Sequence, residues 1–177
     1  RFADAAGNLY FGRNLDWCES YGEGVVITPR GASIPTQFLG SLSPEHACVG
    51  MGIVVGGVPC YFDCANEAGL AIAGLNFPGY AQFAEAPEEG AVNVAAYEFP
   101  LWVAASFSTV AEVREALKGV VIVAKAPSKG YGVAQLHWLV GDGKESIVIE
   151  CQADGMHVYD LSLIPLGRCR RSEKCRA

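Results

Sequence analysis

The sequence predicts an α+β fold, with antiparallel hairpins and helices packed on one face. Three observations lead there. The first half is a series of short apolar, often β-branched runs broken by Gly and Asn turns. The second half holds one strongly patterned helix, Thr109 to Lys118. At 177 residues, 51% hydrophobic and 18% charged, the chain supports one domain with a real core and excludes intrinsic disorder. The longest apolar runs, such as Gly50–Val55 and Val120–Ala124, fall far short of the roughly 20 residues of a membrane helix. No Arg- or Lys-flanked apolar stretch opens the chain, so no signal peptide is expected.

The elements follow in order. Phe2–Asp4 and Leu9–Gly12 flank Ala5-Ala6-Gly7-Asn8 and read as a hairpin. Gly24–Pro29 is a β-branched run closed by Pro29 and Gly31. Ala47–Val55 and Val58–Phe62 flank Gly56-Gly57, a tight-turn dipeptide. Leu70–Leu75 is a further apolar strand, entered through the turn Asn66-Glu67-Ala68-Gly69. Phe99–Phe107 is a compact apolar helix with Pro100 in its first turn. In the next helix Thr109 caps and Glu112 completes a capping box. Val110, Val113 and Leu117 share a face, and Gly119 ends the helix. Gln135–Val140, Ser146–Glu150 and Met156–Tyr159 are strands joined by turns at Gly141-Asp142-Gly143-Lys144 and Asp154-Gly155.

The net charge of −6 argues against a nucleic-acid partner. The charge is uneven. Residues 168–177, RCRRSEKCRA, carry five basic residues and one acid, which reads as a frayed basic terminus rather than a binding arm. Seven cysteines at 18, 48, 60, 64, 151, 169 and 175 are odd in number and lack tight disulfide spacing. They read as reduced thiols of a cytoplasmic protein. Cys60 and Cys64, with His46 and Cys48 upstream, lack a metal knuckle. No metal site is expected.

Three blocks hold residues suited to chemistry. Gly12-Arg13-Asn14-Leu15-Asp16-Trp17 sets a permanent guanidinium and a carboxylate three residues apart at a strand end. A structural ion pair and a catalytic pair both fit that spacing. Asn76, between an apolar strand and Phe77-Pro78-Gly79, is either an Asx turn or an amide donor aimed into a cleft. His46, His137 and His157 have no nucleophile at recognisable spacing, and no G-x-S-x-G is present. His137, in an apolar strand, reads as a satisfied core histidine.

Taken together, GNLYFGRNLDW, SYGEGVVITPRG, YFDCANEAGLAIAGLNFPGYA, NVAAYEFPLWVA and LHWLVGDGKESIVIE resemble the choloylglycine hydrolase family. That family comprises bile-salt hydrolases and penicillin V acylases within the N-terminal-nucleophile hydrolases. The resemblance covers about residues 1 to 160 and implies the N-terminal part of a four-layer αββα sandwich. It implies hydrolysis of a non-peptide C–N amide by an N-terminal cysteine whose own α-amine is the base. Arg13 matches the arginine beside the nucleophile, where positive charge favours thiolate. Asp16 matches the aspartate that positions the amine. Asn76 matches the oxyanion-hole asparagine of bile-salt hydrolases, where penicillin V acylases tend to carry Tyr, so a conjugated bile salt is the expected substrate. Trp17, Tyr21, Phe62 and Phe77 are candidates for the apolar wall of its pocket. The resemblance calls for no cofactor and no membrane partner, and suggests a homo-oligomer, often a tetramer, in a bacterial cytoplasm.

Two departures matter. None of the seven cysteines is N-terminal, and Cys18 is the nearest to the GRNLDW block. The nucleophile is therefore expected before Arg1, and the 177-residue chain by itself is expected to be inactive. After Tyr159 the family continues into a segment with a second catalytic asparagine, followed later by an arginine. Here the chain reads LSLIPLGRCRRSEKCRA, so 1–160 is read as a partial domain and 161–177 as a divergent tail, disordered or a fragment end. The rivals are a penicillin V acylase or other N-acyl amide hydrolase, and a non-catalytic binding module that keeps the cleft.

Overall fold

The computed structural model describes residues 2–14 and 19–161. Of the tail assigned to 161–177, residues 162–177, with Cys169 and Cys175, lie outside the described residues, as do Asp16, Trp17 and Cys18.

The N-terminal hairpin pairs β1 (Phe2–Ala3) with β2 (Leu9–Tyr10). Its turn is held by one carboxylate. Asp4 Oδ1 accepts from the N–H groups of Ala6 and Asn8 at 2.9 and 2.8 Å. β3 (Gly24–Thr28) follows, then a small antiparallel pair, β4 (Ile34–Pro35) and β5 (Ser41–Leu42), which the sequence pattern did not mark. The long hairpin β6 (Cys48–Val55) and β7 (Val58–Asn66) turns at Gly56 and Gly57, whose φ angles of 60° and 83° fit a type I′ turn. β7 runs four residues beyond the expected end at Phe62. Between the pairs Met51↔Asp63 and Gly52↔Tyr61 the register shifts, so Phe62 opposes no residue of β6 and forms a bulge.

β8 (Ala71–Asn76), β11 (Leu136–Gly141), β12 (Ser146–Gln152) and β13 (Gly155–Asp160) complete the main sheet. It has seven strands in the order β13-β12-β11-β8-β7-β6-β3, all neighbours antiparallel. One strand pair among the described residues departs from the expected antiparallel pattern. β9 (Val92–Ala95) pairs in parallel with β10 (Val120–Val123). Parallel neighbours require a crossover, and α1 (Phe99–Ser106), α2 (Val110–Ala116) and a final 3₁₀ turn at Leu117–Gly119 supply it.

α1 opens with Pro100, where a missing N–H costs nothing. Every residue from Phe99 to Ala105 is buried, so this helix is sandwiched rather than surface-lying. Asn66 ties it to the sheet. Its Nδ2 donates to the carbonyls of Ala104 and Phe107 at 2.8 and 2.7 Å, filling acceptors left open at the helix end. Its Oδ1 accepts from the N–H groups of Ala68 and Leu70, which closes the turn into β8. α2 is capped as expected by Thr109, which accepts from Glu112 N–H at 3.2 Å. The Glu112 carboxylate reaches one residue further back than a standard capping box, to Ser108 N–H at 2.7 Å.

The core lies between the sheet and α1. Trp138, Phe99, Leu70, Ile72, Leu101, Ile147 and Ile149 are its largest fully buried side chains. Strand alternation places Ile72, Trp138, Val140, Ile147 and Ile149 on this helix-covered face. Asp63, Ala73, Leu139 and Val148 lie on the other face, with Val49 and Met51. The α+β class is borne out: among the described residues a seven-stranded antiparallel sheet is covered on one face by helix, one β layer and one α layer of the kind an αββα sandwich stacks.

Candidate functional site on the open face of the sheet

The N-terminal segment that follows β2 crosses the sheet face opposite α1. Phe11 lies over Gly141: a Cβ placed there would meet the Phe11 ring at 3.4 Å. Two residues on, the Arg13 guanidinium reaches Asp63 in β7. Its Nη2 and Nε lie 3.1 and 3.2 Å from Asp63 Oδ2. The Arg13 side chain is only 7% exposed, whereas Asp63 is 35% exposed. A buried guanidinium needs such a partner, because an uncompensated charge away from water is costly. Arg13 thus has a carboxylate partner 50 residues away. Asp16, the nearer candidate, lies outside the described residues.

Asp63 was not singled out in the sequence. The available signal was a single charge inside the apolar strand YFDCA. Gly50 in β6, the register partner of Cys64, lets the two strands lie close beside Asp63. A Cβ at Gly50 would sit 2.0 Å from the Asp63 carbonyl oxygen and 2.5 Å from Cys64 Cβ, so only glycine fits. An open cavity of about 260 Å³ lies here, lined among others by Phe11, Gly12, Arg13, Gly50, Asp63 and Cys64.

Asn76 is the last residue of β8, exposed, and paired with Leu136 of β11. It stands three residues along β8 from Ala73, the register partner of Asp63, so strand alternation sets it on the other side of the sheet from Asp63, at the strand end. Beyond it the chain turns. Phe77 N–H donates to the Gln135 carbonyl at 2.8 Å and Gly79 N–H to Gln135 Oε1 at 3.0 Å.

The aromatic candidates divide into two groups. Tyr21 and Phe62 meet edge to face with ring centroids 6.1 Å apart, and Tyr131, which the sequence reading did not include, lies 6.0 Å from Tyr21. Phe77 stacks on Tyr80 and His137. Trp17 lies outside the described residues.

His137 is half-buried on the open face, stacked on Phe77 and bonded to Glu150, so it is satisfied but is not a core histidine. His46 bonds Ser108 Oγ at 2.9 Å and His157 bonds Asp154 Oδ1 at 2.8 Å.

Cys48, Cys60, Cys64 and Cys151 are free and buried. Burial pushes the Cys48 thiol up to about 11, and those of Cys60 and Cys151 to about 12. It raises Cys64 as well. These thiols are protonated at neutral pH and are poor nucleophiles. The bulge at Phe62 falls between Cys60 and Cys64 and breaks the strand alternation that would give them a common face. Cys60 Sγ contacts the Val58 carbonyl and Cys64 Sγ that of Pro100. Among the described residues no group of three His, Cys, Asp or Glu side chains is placed to hold a metal ion. No helix among them is long and apolar enough to cross a membrane.

Comparison with known proteins places this arrangement. Residues 1–165 match the model of the linear amide C–N hydrolases, choloylglycine hydrolase family. A bile salt hydrolase/transferase of Bifidobacterium longum subsp. longum is 56% identical over 160 residues, which is 90% of this chain and 50% of that protein. A conjugated bile acid hydrolase of Lactobacillus gasseri is 52% identical over 161 residues, 90% of this chain and 51% of that one. The chain therefore spans about half the length of the relatives it matches. Among solved structures, a variant of conjugated bile acid hydrolase from Clostridium perfringens superposes with a TM-score of 0.77 at 36% identity. It covers 81% of this chain and 44% of that one. A penicillin V acylase from Agrobacterium tumefaciens, at 20% identity and a TM-score of 0.62 over 84% of this chain and 44% of its own, shares the fold. The family model and the two bacterial relatives agree with the five sequence blocks, and the chain belongs to the choloylglycine hydrolase family of linear amide C–N hydrolases.

Proposed function

We propose that the protein containing this segment hydrolyses the amide of glycine- or taurine-conjugated bile salts, through an N-terminal cysteine in the segment preceding Arg1. The observation that carries the reading is the 56% and 52% identity to bile salt hydrolases over 90% of the chain. Two features of the site support it. The described cysteines are buried thiols with raised pKa, unsuited to attack, so the nucleophile lies elsewhere. A buried, permanently charged guanidinium stands at Arg13, beside an open cavity, where it favours a nearby thiolate.

In the proposed reaction the thiolate sulfur attacks the amide carbonyl carbon. The carbonyl π electrons move to oxygen, and Asn76 donates a hydrogen bond to the oxyanion. The C–N bond breaks as the amine nitrogen takes the proton that the cysteine α-amine had accepted from the thiol. Water then attacks the thioester, releases the acyl carboxylate and restores the thiol. Asp16 holds the α-amine. Tyr21 and Phe62, with Trp17 and Phe77, are the proposed apolar contacts for the steroid. A homo-oligomer in a bacterial cytoplasm is the proposed setting.

The test is release of glycine or taurine from glycocholate and taurocholate by the full-length enzyme containing this segment, with penicillin V in parallel. Amino-acid release, abolished by alkylating the N-terminal thiol, is expected. Cleavage of penicillin V with no bile-salt turnover would select the acylase reading. No turnover of either substrate would reject both.

A further inference from the structure

Two aligned side chains on the open face have no part in the reaction above, Glu150 of β12 and His137 of β11, and they line up with Phe77, the residue after Asn76 and a proposed steroid contact. The Phe77 and His137 rings are parallel within 6° and 4.8 Å apart. His137 Nδ1 lies 3.2 Å from Glu150 Oε1, and since a carboxylate only accepts, Nδ1 is the donor. Glu150 is held in turn by Gln152 Nε2, which donates to its Oε2 at 2.9 Å. His137 and Glu150 side chains are 22% and 19% exposed, which leaves the imidazole little freedom to rotate. Phe77 also stacks on Tyr80, with centroids 5.3 Å apart.

These contacts converge on one short turn. Asn76 ends β8, and the next residue is gripped through its backbone by the Gln135 carbonyl and through its ring by His137. A hydrogen-bond donor to a developing oxyanion works only when it is placed in advance, and an error of about 1 Å can cost roughly 10²-fold in rate. An exposed asparagine at a strand end is not placed by burial. What fixes the residues on either side contributes to placing it. Leu136 does this on the strand side through the β8–β11 ladder, and the His137–Phe77 stack does it on the turn side.

We propose that His137, oriented by Glu150, is a positioning residue for Asn76, acting through the stack on Phe77. The proposal rests on Asn76 being the oxyanion donor of the reaction above. His137 itself touches no reacting atom. Removing its ring frees the turn and misplaces the donor, while the thiolate keeps its form.

The experiment is a double-mutant cycle in the full-length enzyme, with glycocholate as substrate. His137→Ala is expected to lower kcat by roughly 10- to 100-fold with KM changed less than about threefold. The alkylation rate of the nucleophilic cysteine by iodoacetamide is expected to stay at the wild-type value. In an Asn76→Ala background the same substitution is expected to cost less than about twofold, since the donor it positions is gone. His137→Phe keeps a stacking ring and should recover most of the turnover. If His137→Ala does not fold, Glu150→Ala replaces it in the cycle, removing the carboxylate that orients the imidazole and leaving Phe77 in place. Additive losses, wild-type kcat in the single variant, or an equal fall in alkylation rate would each overturn the proposal. A wild-type enzyme that releases no glycine would instead reject the functional reading, and so separates the two failures.

Discussion

The two faces of the seven-stranded sheet obey the same alternation and have opposite fates. On the face under α1, Phe99, Leu101, Val103, Trp138, Val140, Ile147 and Ile149 are all fully buried. On the other face Val25 and Ile27 of β3 are 71% and 69% exposed, and Val49 and Met51 of β6 are 49% and 38% exposed. That face also carries Arg13 on Asp63 and His137 on Glu150. Burial of apolar area makes the first face the source of stability. The second, apolar at the β3 edge and polar over the sheet centre, has the make-up of a surface that meets something else. Changes on the helix-covered face should therefore act on folding, and changes on the open face on turnover.

The largest effect tests the covered face in the full-length enzyme. Phe99→Ala removes a fully buried ring that packs on Trp138 at 4.6 Å and Trp102 at 5.8 Å. It should cost about 3–5 kcal/mol of stability by denaturant titration, with turnover per folded molecule unchanged. A fall in turnover per folded molecule would show that the faces are not separable.

The next effect falls where the faces meet. Gly50→Ala would put a Cβ 2.0 Å from the Asp63 carbonyl, and backbone cannot yield as a flexible side chain can. The β6–β7 pairing should be forced apart at a cost of about 1–3 kcal/mol, and turnover should fall by roughly tenfold as Asp63 shifts under Arg13. Gly24→Ala is the control, since a Cβ there meets nothing within 4 Å. It should leave both quantities within error.

The smallest effect is pH-dependent and belongs to the covered face. Glu98, 2% exposed at the start of α1, accepts from Gln37 N–H at 2.9 Å. Burial is the main cause that raises its carboxyl pKa above the ordinary range. The neutral acid is therefore the form the fold prefers. Stability is fully present below the unfolded value, near 4.3, and is lost as pH rises through the higher folded value. Glu98→Gln keeps an acceptor for Gln37 and never ionises. It should raise Tm by about 2–4 °C at pH 8 and leave it unchanged at pH 4. Equal shifts at both pH values would remove the ionisation argument.

How much of this was legible in the sequence depended on how local the signal was. The hairpins at Gly56-Gly57 and Asp154-Gly155, the Thr109 cap and the Pro100 start are written in neighbouring residues, and the structure has them. The parallel pairing of Val92–Ala95 with Val120–Val123 was not legible, because it joins segments separated by two helices and no turn dipeptide announces it. The bulge at Phe62 was hidden for a similar reason, since it is defined by register against β6. In the site, Arg13 was readable as a permanent charge at a strand end. Its partner Asp63, 50 residues away, was not, because an ion pair between distant strands leaves no spacing in the chain. The Phe77–His137 stack was invisible for the same reason.

The most direct measurement is melting temperature and turnover on the same three variants of the full-length enzyme: Arg13→Lys, Asp16→Asn and Asn76→Tyr. If these residues carry the chemistry, each variant should lose turnover on glycocholate, by roughly 10²–10³-fold where an oxyanion donor is removed, with Tm within about 2 °C of wild type. Asn76→Tyr should also shift preference toward penicillin V. Three variants that melt earlier yet turn over normally per folded molecule would make these residues scaffold and contradict the assignment.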